Sequence, residues 1–450
     1  MPTARSPISA PDDRLIASQL IVVVESILVG LSAGLVVTAF RLVLGRAEEL
    51  RRVAYRALRV APPGVLAAWV LLLIAVGLLL GWMGVRRPMT RGSGIPQLKG
   101  ALRGSLRMDW VRELPLKIGG GILAIGFGLS LGREGPSVQI GSYVGRAMLG
   151  LPQRSARNRK YLLASGAAAG LSAAFSAPLA GVLFALEELH KCFSPLLLSC
   201  AMGAAVAGDA VASRFFGLGP VFDFAFIDPL ATARFPWIVA LGVLCALAGE
   251  AFKRSLYASA DCYRLLRIPA AARPILPLLV SVPLGLFLFE ATGGGHGLIE
   301  SLADGGFPLR ALVLLFAVKF LFTALCYGSG APGGIFLPLL ACGALLGAAF
   351  GEAVAAFGFA ASGETLNFAI LGMAAFFVAV VQAPLTGAVL ILEMSGNFNH
   401  LAGLVLACMA AFVTAEALRS RPVYDTLLDR MLADQGKGTG RSFNMYDKSA

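Results

Sequence analysis

The chain has 450 residues, 57% of them hydrophobic and only 14% charged, against about 25% charged in ordinary soluble domains, which excludes a soluble globular fold. The net charge of +12 raises the question of nucleic acid, but the basic residues are gathered in short stretches between apolar runs. No basic aromatic surface accompanies them, so a nucleic-acid binder is excluded too.

Along the chain, Met1 to Arg14 is polar and precedes an apolar run long enough to span, so it does not read as a cleaved signal. Apolar runs follow at Ile21 to Phe40, Gly64 to Trp82, Ala240 to Phe252, Pro274 to Phe289 and Leu309 to Leu325. A membrane helix needs about 20 mostly apolar residues, fewer if it is broken or buried in protein. Several runs are shorter than that, and many of the 53 Gly and 24 Pro fall inside them. The pattern predicts an all-α polytopic membrane protein with short, broken or re-entrant helices. Basic residues cluster at Arg41 to Arg59, Arg86 to Arg91, Arg154 to Lys160 and Lys253 to Arg273, whereas Phe216 to Thr232 carries Asp223 and Asp228 without Lys or Arg. The positive-inside rule places all four basic stretches in the cytoplasm and the acidic one outside. The last apolar segment ends near Leu418, and the tail from Gln435 to Ala450 is polar. The seven Cys are scattered without a CxxC and the three His lie far apart, so neither a disulfide framework nor a metal site is expected.

The two halves repeat one another. Gly132-Arg-Glu-Gly-Pro136, continuing to Gly141 and Gly145, matches Gly334-Ile-Phe-Leu-Pro338, continuing to Gly343 and Gly347, at a separation of 202 residues (334 − 132). Ala177-Pro-Leu-Ala-Gly181 with Glu187 matches Ala383-Pro-Leu-Thr-Gly387 with Glu393 at 206 (383 − 177). Gly92-Ser-Gly-Ile95 more weakly matches Gly295-His-Gly-Leu298 at 203 (295 − 92). Three pairs in one order imply a duplication, whereas helix packing through small residues explains the glycines but not the order. The expected organisation is a polar segment 1–14, a single membrane domain 15–430 of two repeats (15–230 and 237–430, meeting near Leu230 to Trp237), and a short cytoplasmic tail 431–450. Membrane proteins of repeated halves place the substrate site at the repeat interface, among interrupted helices.

Each motif is a glycine turn running into a helix-compatible segment. A helix N-terminus offers unpaired N–H groups and partial positive charge, which bind an anion without holding it as tightly as a lysine would. The Ser93 hydroxyl can cap its helix, touch the ion, or do both. Glu134 is a carboxyl at membrane depth beside an anion-type turn, a functional hypothesis by default; ionised it competes with an anion for the same amides, and protonated it releases them. A salt bridge to Arg133 or Arg146 is its structural alternative. Glu187 and Glu188 are neighbours on a helix and point about 100° apart, so they cannot share one role. Glu393 reads as structural. Tyr424, after Arg421-Pro422-Val423, is an interfacial aromatic or a phenol donor at the inner mouth.

Gly92-Ser-Gly-Ile-Pro96, Gly132-Arg-Glu-Gly-Pro136 and Gly334-Ile-Phe-Leu-Pro338 resemble, in order, the three signature motifs of the CLC chloride channels and chloride/proton exchangers, over about Leu15 to Arg430. The resemblance implies the inverted-repeat CLC fold, a homodimer with one pore per subunit, and chloride held by the Ser93 and Tyr424 hydroxyls and the backbone amides of Ile335 and Phe336. It further implies Glu134 as external gate and proton acceptor, and Glu188 as the internal proton-transfer glutamate of exchangers. Ser93 matches chloride-preferring members, and the motif proline Pro136 and Tyr424 argue against the fluoride branch. Some bacterial exchangers carry acidic residues where this chain has Gln97 and Lys99, which leaves the inner proton route less defined than chloride binding. Only 26 residues follow Tyr424 (450 − 424), so the cytoplasmic CBS domains of many family members are not expected, and the resemblance is to bacterial members of the inner membrane.

The expected activity is secondary active exchange of chloride and protons across the lipid bilayer, with no cofactor, metal, nucleic acid or nucleotide, since no P-loop motif is present. A passive voltage- or pH-gated chloride channel is the alternative. An intramembrane hydrolase using Ser93 would need a nearby base, for which only His190 and His296 offer themselves, and it would leave the repeated turns unexplained.

Overall fold

The computed structural model describes residues 13–150, 156–222, 224, 226–303, 305, 307–359 and 362–439. Asp223, Arg154, most of the expected segment 1–14 and most of the tail 431–450 lie outside them. The described residues form seventeen α-helices and no β-strand beyond two isolated bridges. In chain order these are α1 (Asp13–Leu58), α2 (Pro63–Arg86), α3 (Ile95–Leu102), α4 (Trp110–Gly126), α5 (Glu134–Ala147), α6 (Ala156–Phe175), α7 (Pro178–Leu183), α8 (Pro195–Phe216) and α9 (Phe235–Leu265). Then come α10 (Ile275–Phe287), α11 (His296–Ala303), α12 (Leu309–Gly328), α13 (Phe336–Ala356), α14 (Thr365–Val381), α15 (Pro384–Ser395), α16 (Leu401–Ala417) and α17 (Val423–Thr439). Among the described residues seven helices are long and apolar enough to cross a membrane. The others, such as the 8-residue α3 and α11, are too short, as the interrupted apolar runs predict.

Prolines start the helices and set where they break. A proline occupies one of the first two positions of α2, α3, α7, α8, α9 and α15, where its missing N–H is not needed. Within α4 and α10, Pro115 and Pro283 are internal, which α-helices tolerate in membranes when neighbours satisfy the freed groups. α7 passes directly into a π-helical segment, Phe184–His190.

The repeat seen in the sequence is built into the packing. Gly141 and Gly145 of α5 lie against the carbonyls of Gly166 and Leu162 on α6, and Gly343 and Gly347 of α13 lie against those of Gly372 and Phe368 on α14. Any Cβ at these four sites would collide with backbone. The two most closely packed helix pairs are therefore mates, one in each half.

One sequence expectation is corrected. Arg51, Arg52, Arg56 and Arg59 end α1 or follow it, and α2 then crosses once in 24 residues to Arg86. The basic stretches 41–59 and 86–91 thus sit at opposite ends of a single span and cannot both be cytoplasmic. Arg91 lies beside Arg273, and Arg87 pairs with Asp109 in the cleft that also holds Arg159 and Lys160, so three of the four basic stretches share one face, the cytoplasmic one. The end of α1 lies on the outer face. There His296 stacks on Phe222 of the acidic stretch at 5.0 Å.

Candidate functional site

Three glycine turns meet at the centre of the molecule. Gly132 and Gly334 exchange backbone hydrogen bonds (2.7 and 2.8 Å), and the Gly333 N–H donates to the Gly92 carbonyl at 3.0 Å. The starts of α3, α5 and α13 are tied into one junction, with first-turn N–H groups that have no helical acceptor. Gly92 and Gly94 sit at φ +57° and +92°, the left-handed region that glycine enters without steric cost. The Phe336 ring is wedged between Phe377 (centroids 4.7 Å apart), Phe175 (5.3 Å) and Phe184 (6.2 Å), which fixes the amides of Ile335 and Phe336 in place.

Ser93, Glu134, Ile335, Phe336 and Tyr424 are wholly buried. Ser93 Oγ accepts the Ile95 N–H at 3.3 Å, so the hydroxyl caps its own turn and keeps its proton to donate elsewhere. Buried and without a hydrogen-bond partner, the Tyr424 hydroxyl lies within electrostatic reach of both Glu134 and Glu188. The carboxyl oxygens of Glu134 are likewise unpartnered and face the Leu337 N–H at the start of α13. Arg133 Nε lies 3.8 Å from Glu134 Oε1, so the salt bridge to Arg133 is present, but it is too long for a charge-assisted hydrogen bond and leaves the carboxyl free to exchange partners.

Glu187 and Glu188 part ways as their helical spacing requires. Glu187 accepts the N–H groups of Leu385 (3.1 Å) and Thr386 (2.7 Å), capping α15. Glu393 returns the arrangement, accepting those of Leu179 (3.0 Å) and Ala180 (2.8 Å) at the start of α7. Glu188 turns inward, and Lys99 Nζ donates to it at 2.6 Å. Lys99 also lies 2.7 Å from Asp425 Oδ1, which pairs with Arg103 (2.8 Å) and, through Oδ2, with Lys191 (2.5 Å). Burial raises the Asp425 carboxyl, but hydrogen bonds from Lys191 and Lys99 outweigh it and hold the pKa at about 2. The Lys99 ammonium thus lies directly against Glu188.

Two buried lysines went unnoticed in the sequence. Lys117 Nζ donates to the carbonyls of Thr90 (3.1 Å) and Gly92 (2.7 Å), pinning the turn that carries Ser93. Lys319, 202 residues later (319 − 117), donates to Ala291 (3.2 Å) and Gly293 (2.6 Å) beneath α11. A lysine inside an apolar segment at the repeat separation was the available signal. Ser93 has no histidine at its hydroxyl, and His296 instead pairs with Glu300 on the outer face.

The protein-family description "voltage gated chloride channel" matches residues 76–416. The chain belongs to that family. Among its relatives, the H(+)/Cl(−) exchange transporter ClcA of Citrobacter koseri is 38% identical over 428 residues, which cover 92% of this chain and 90% of the relative. ClcA of Salmonella schwarzengrund is 39% identical over 419 residues, 90% of this chain and 88% of the relative. The crystal structure of a slow cyanobacterial Cl−/H+ antiporter superposes with a TM-score of 0.87 at 32% identity, covering 92% of this chain and 99% of that one. The all-helical inverted-repeat architecture of this CLC family member follows directly.

Proposed function

We propose that this chain is a multi-pass protein of the bacterial inner membrane that exchanges chloride for protons, working as a homodimer with one ion pathway in each subunit. Within each subunit the repeats 15–230 and 237–430 enclose the pathway. The observation that carries the reading is the set of buried groups: Glu134 facing the Leu337 amide at the start of α13, and the unpartnered Tyr424 phenol within electrostatic reach of both Glu134 and Glu188.

In this mechanism chloride rests against the Ser93 and Tyr424 hydroxyls and the Ile335 and Phe336 amides. No full positive charge touches it, so it can leave again. Ionised Glu134 occupies the amides at the start of α13 and blocks the outer path. An arriving proton neutralises it, its affinity for those amides falls, and chloride takes its place. Glu188 passes the proton to the cytoplasmic face, and breaking its contact with Lys99 is part of that step. The relatives' named activity and the match of both glutamates support exchange over a passive channel.

The test is Glu134→Gln in proteoliposomes. The neutral amide mimics the protonated gate, so chloride flux persists, loses its pH dependence and carries no protons. Continued chloride-driven proton transport by Glu134→Gln contradicts the assignment.

A further inference from the structure

The mate of the Ser93 turn faces a different neighbourhood. Gly293 and Gly295 adopt φ +67° and +105° before α11, as Gly92 and Gly94 do before α3, which moves the weak sequence match with Gly295-His-Gly-Leu298 back by two residues (293 − 92 = 201), and each turn rests on a buried lysine through two carbonyls. The second turn opens on the outer face into a cavity of about 370 Å³ that no step of ion exchange uses. Its opposite wall is the end of α1, with Arg51, Arg52, Arg56 and Arg59. Arg52 and Arg56 are four residues apart on α1, so they share a side. Glu48 and Glu290 also line the cavity, leaving four guanidiniums to two carboxylates. Among the described residues none of the four arginines forms an ion pair.

Arg51 points to a missing partner. It is 6% exposed, and Nη1 is anchored to the Ile125 carbonyl at 2.5 Å. Its Nε is buried without an acceptor. A buried guanidinium N–H without an acceptor costs stability unless a ligand supplies one. The cavity is far roomier than a bare halide needs, and guanidinium forks match tetrahedral oxyanions with two N–H groups each.

We propose that this outer pocket binds a phosphate group, held by the arginines at the end of α1 and the free amides of α11. The phosphate is that of an anionic phospholipid headgroup or of free inorganic phosphate. The site does not depend on the exchange mechanism, and its failure would leave that mechanism untouched.

The full-length protein in detergent is compared with Arg52→Gln/Arg56→Gln, which leaves the anchored Arg51 in place, and with Arg310→Gln, an exposed arginine at the start of α12. Native mass spectrometry reads retention of phosphatidylglycerol against phosphatidylcholine, and thermal unfolding reads the response to inorganic phosphate. The wild type and Arg310→Gln are expected to bind one of these probes, with roughly thirtyfold weaker binding in the double variant, from two guanidiniums removed. A phosphatidylglycerol preference identifies a headgroup site; a response to phosphate alone identifies a free-phosphate site. Equal behaviour of wild type and double variant towards both probes, or an equal loss in Arg310→Gln, overturns the proposal.

Discussion

Lys99 is the side chain on which the inner half of the site turns. It is 1% exposed and neutralises Glu188 and Asp425 at once. Removing one partner of a buried pair typically costs about 3–5 kcal/mol, because the other charge is left uncompensated. Lys99→Met should therefore lower the unfolding temperature in detergent sharply, and Lys99→Met/Glu188→Gln should recover most of the loss; equal destabilisation of single and double variants would show that the pair is not coupled. Asp425 adds a pH signature. Its folded pKa of about 2 lies below the unfolded value of about 3.9. A depressed carboxyl stabilises the fold fully above the unfolded value and loses that contribution as pH falls through the folded one. Unfolding temperatures of wild type and Asp425→Asn should differ by a constant amount above about pH 5 and converge only towards pH 2; convergence near neutral pH would contradict the pairing. None of this was legible in the sequence, where Lys99 stood out only as a departure from the acidic residues that some bacterial exchangers carry there. Its partners are 89 residues away and farther along the chain, and only the tertiary fold brings them together. The burial of Ser93 and Glu134 was legible because glycine turns and a lone carboxyl in an apolar stretch have local causes.

The helices are placed by glycine contacts and by exchanged caps, both of which follow the repeat. Gly141 against the Gly166 carbonyl and Gly343 against the Gly372 carbonyl are the same contact in the two halves. Gly141→Val and Gly343→Val should each reduce folded yield by a similar large factor, since overpacking costs about 1–3 kcal/mol even where the surroundings yield, and backbone cannot yield. Gly45 in α1 has open space around its Cα, so Gly45→Ala should be neutral or raise stability by up to about 1 kcal/mol through helix propensity. Size-exclusion yield and unfolding temperature together check both. The helix breaks were readable from proline and glycine. The division of labour between Glu187 and Glu188 was readable only as a necessity of helical geometry, because which glutamate caps α15 depends on the partner helix.

Across the whole molecule, inversion of the halves makes one device serve two purposes. Lys117 and Lys319 hold equivalent turns, but only the first carries Ser93. Each lysine satisfies two carbonyls, and an unsatisfied buried polar group costs about 1–3 kcal/mol. Lys117→Met and Lys319→Met should destabilise alike, while only Lys117→Met also weakens chloride binding; the reverse pattern would mean that the Ser93 turn is not the anion site. The misplaced basic stretch has a local cause: a charge count along the chain cannot see that a single helix separates Arg59 from Arg86. The central claim is coupling, and proteoliposomes loaded with high chloride test it most directly. With an outward chloride gradient, wild type should take up protons as chloride leaves and raise the external pH, whereas Glu188→Gln should release chloride with no pH change. Chloride release by wild type without proton uptake would contradict exchange and leave a passive chloride pathway.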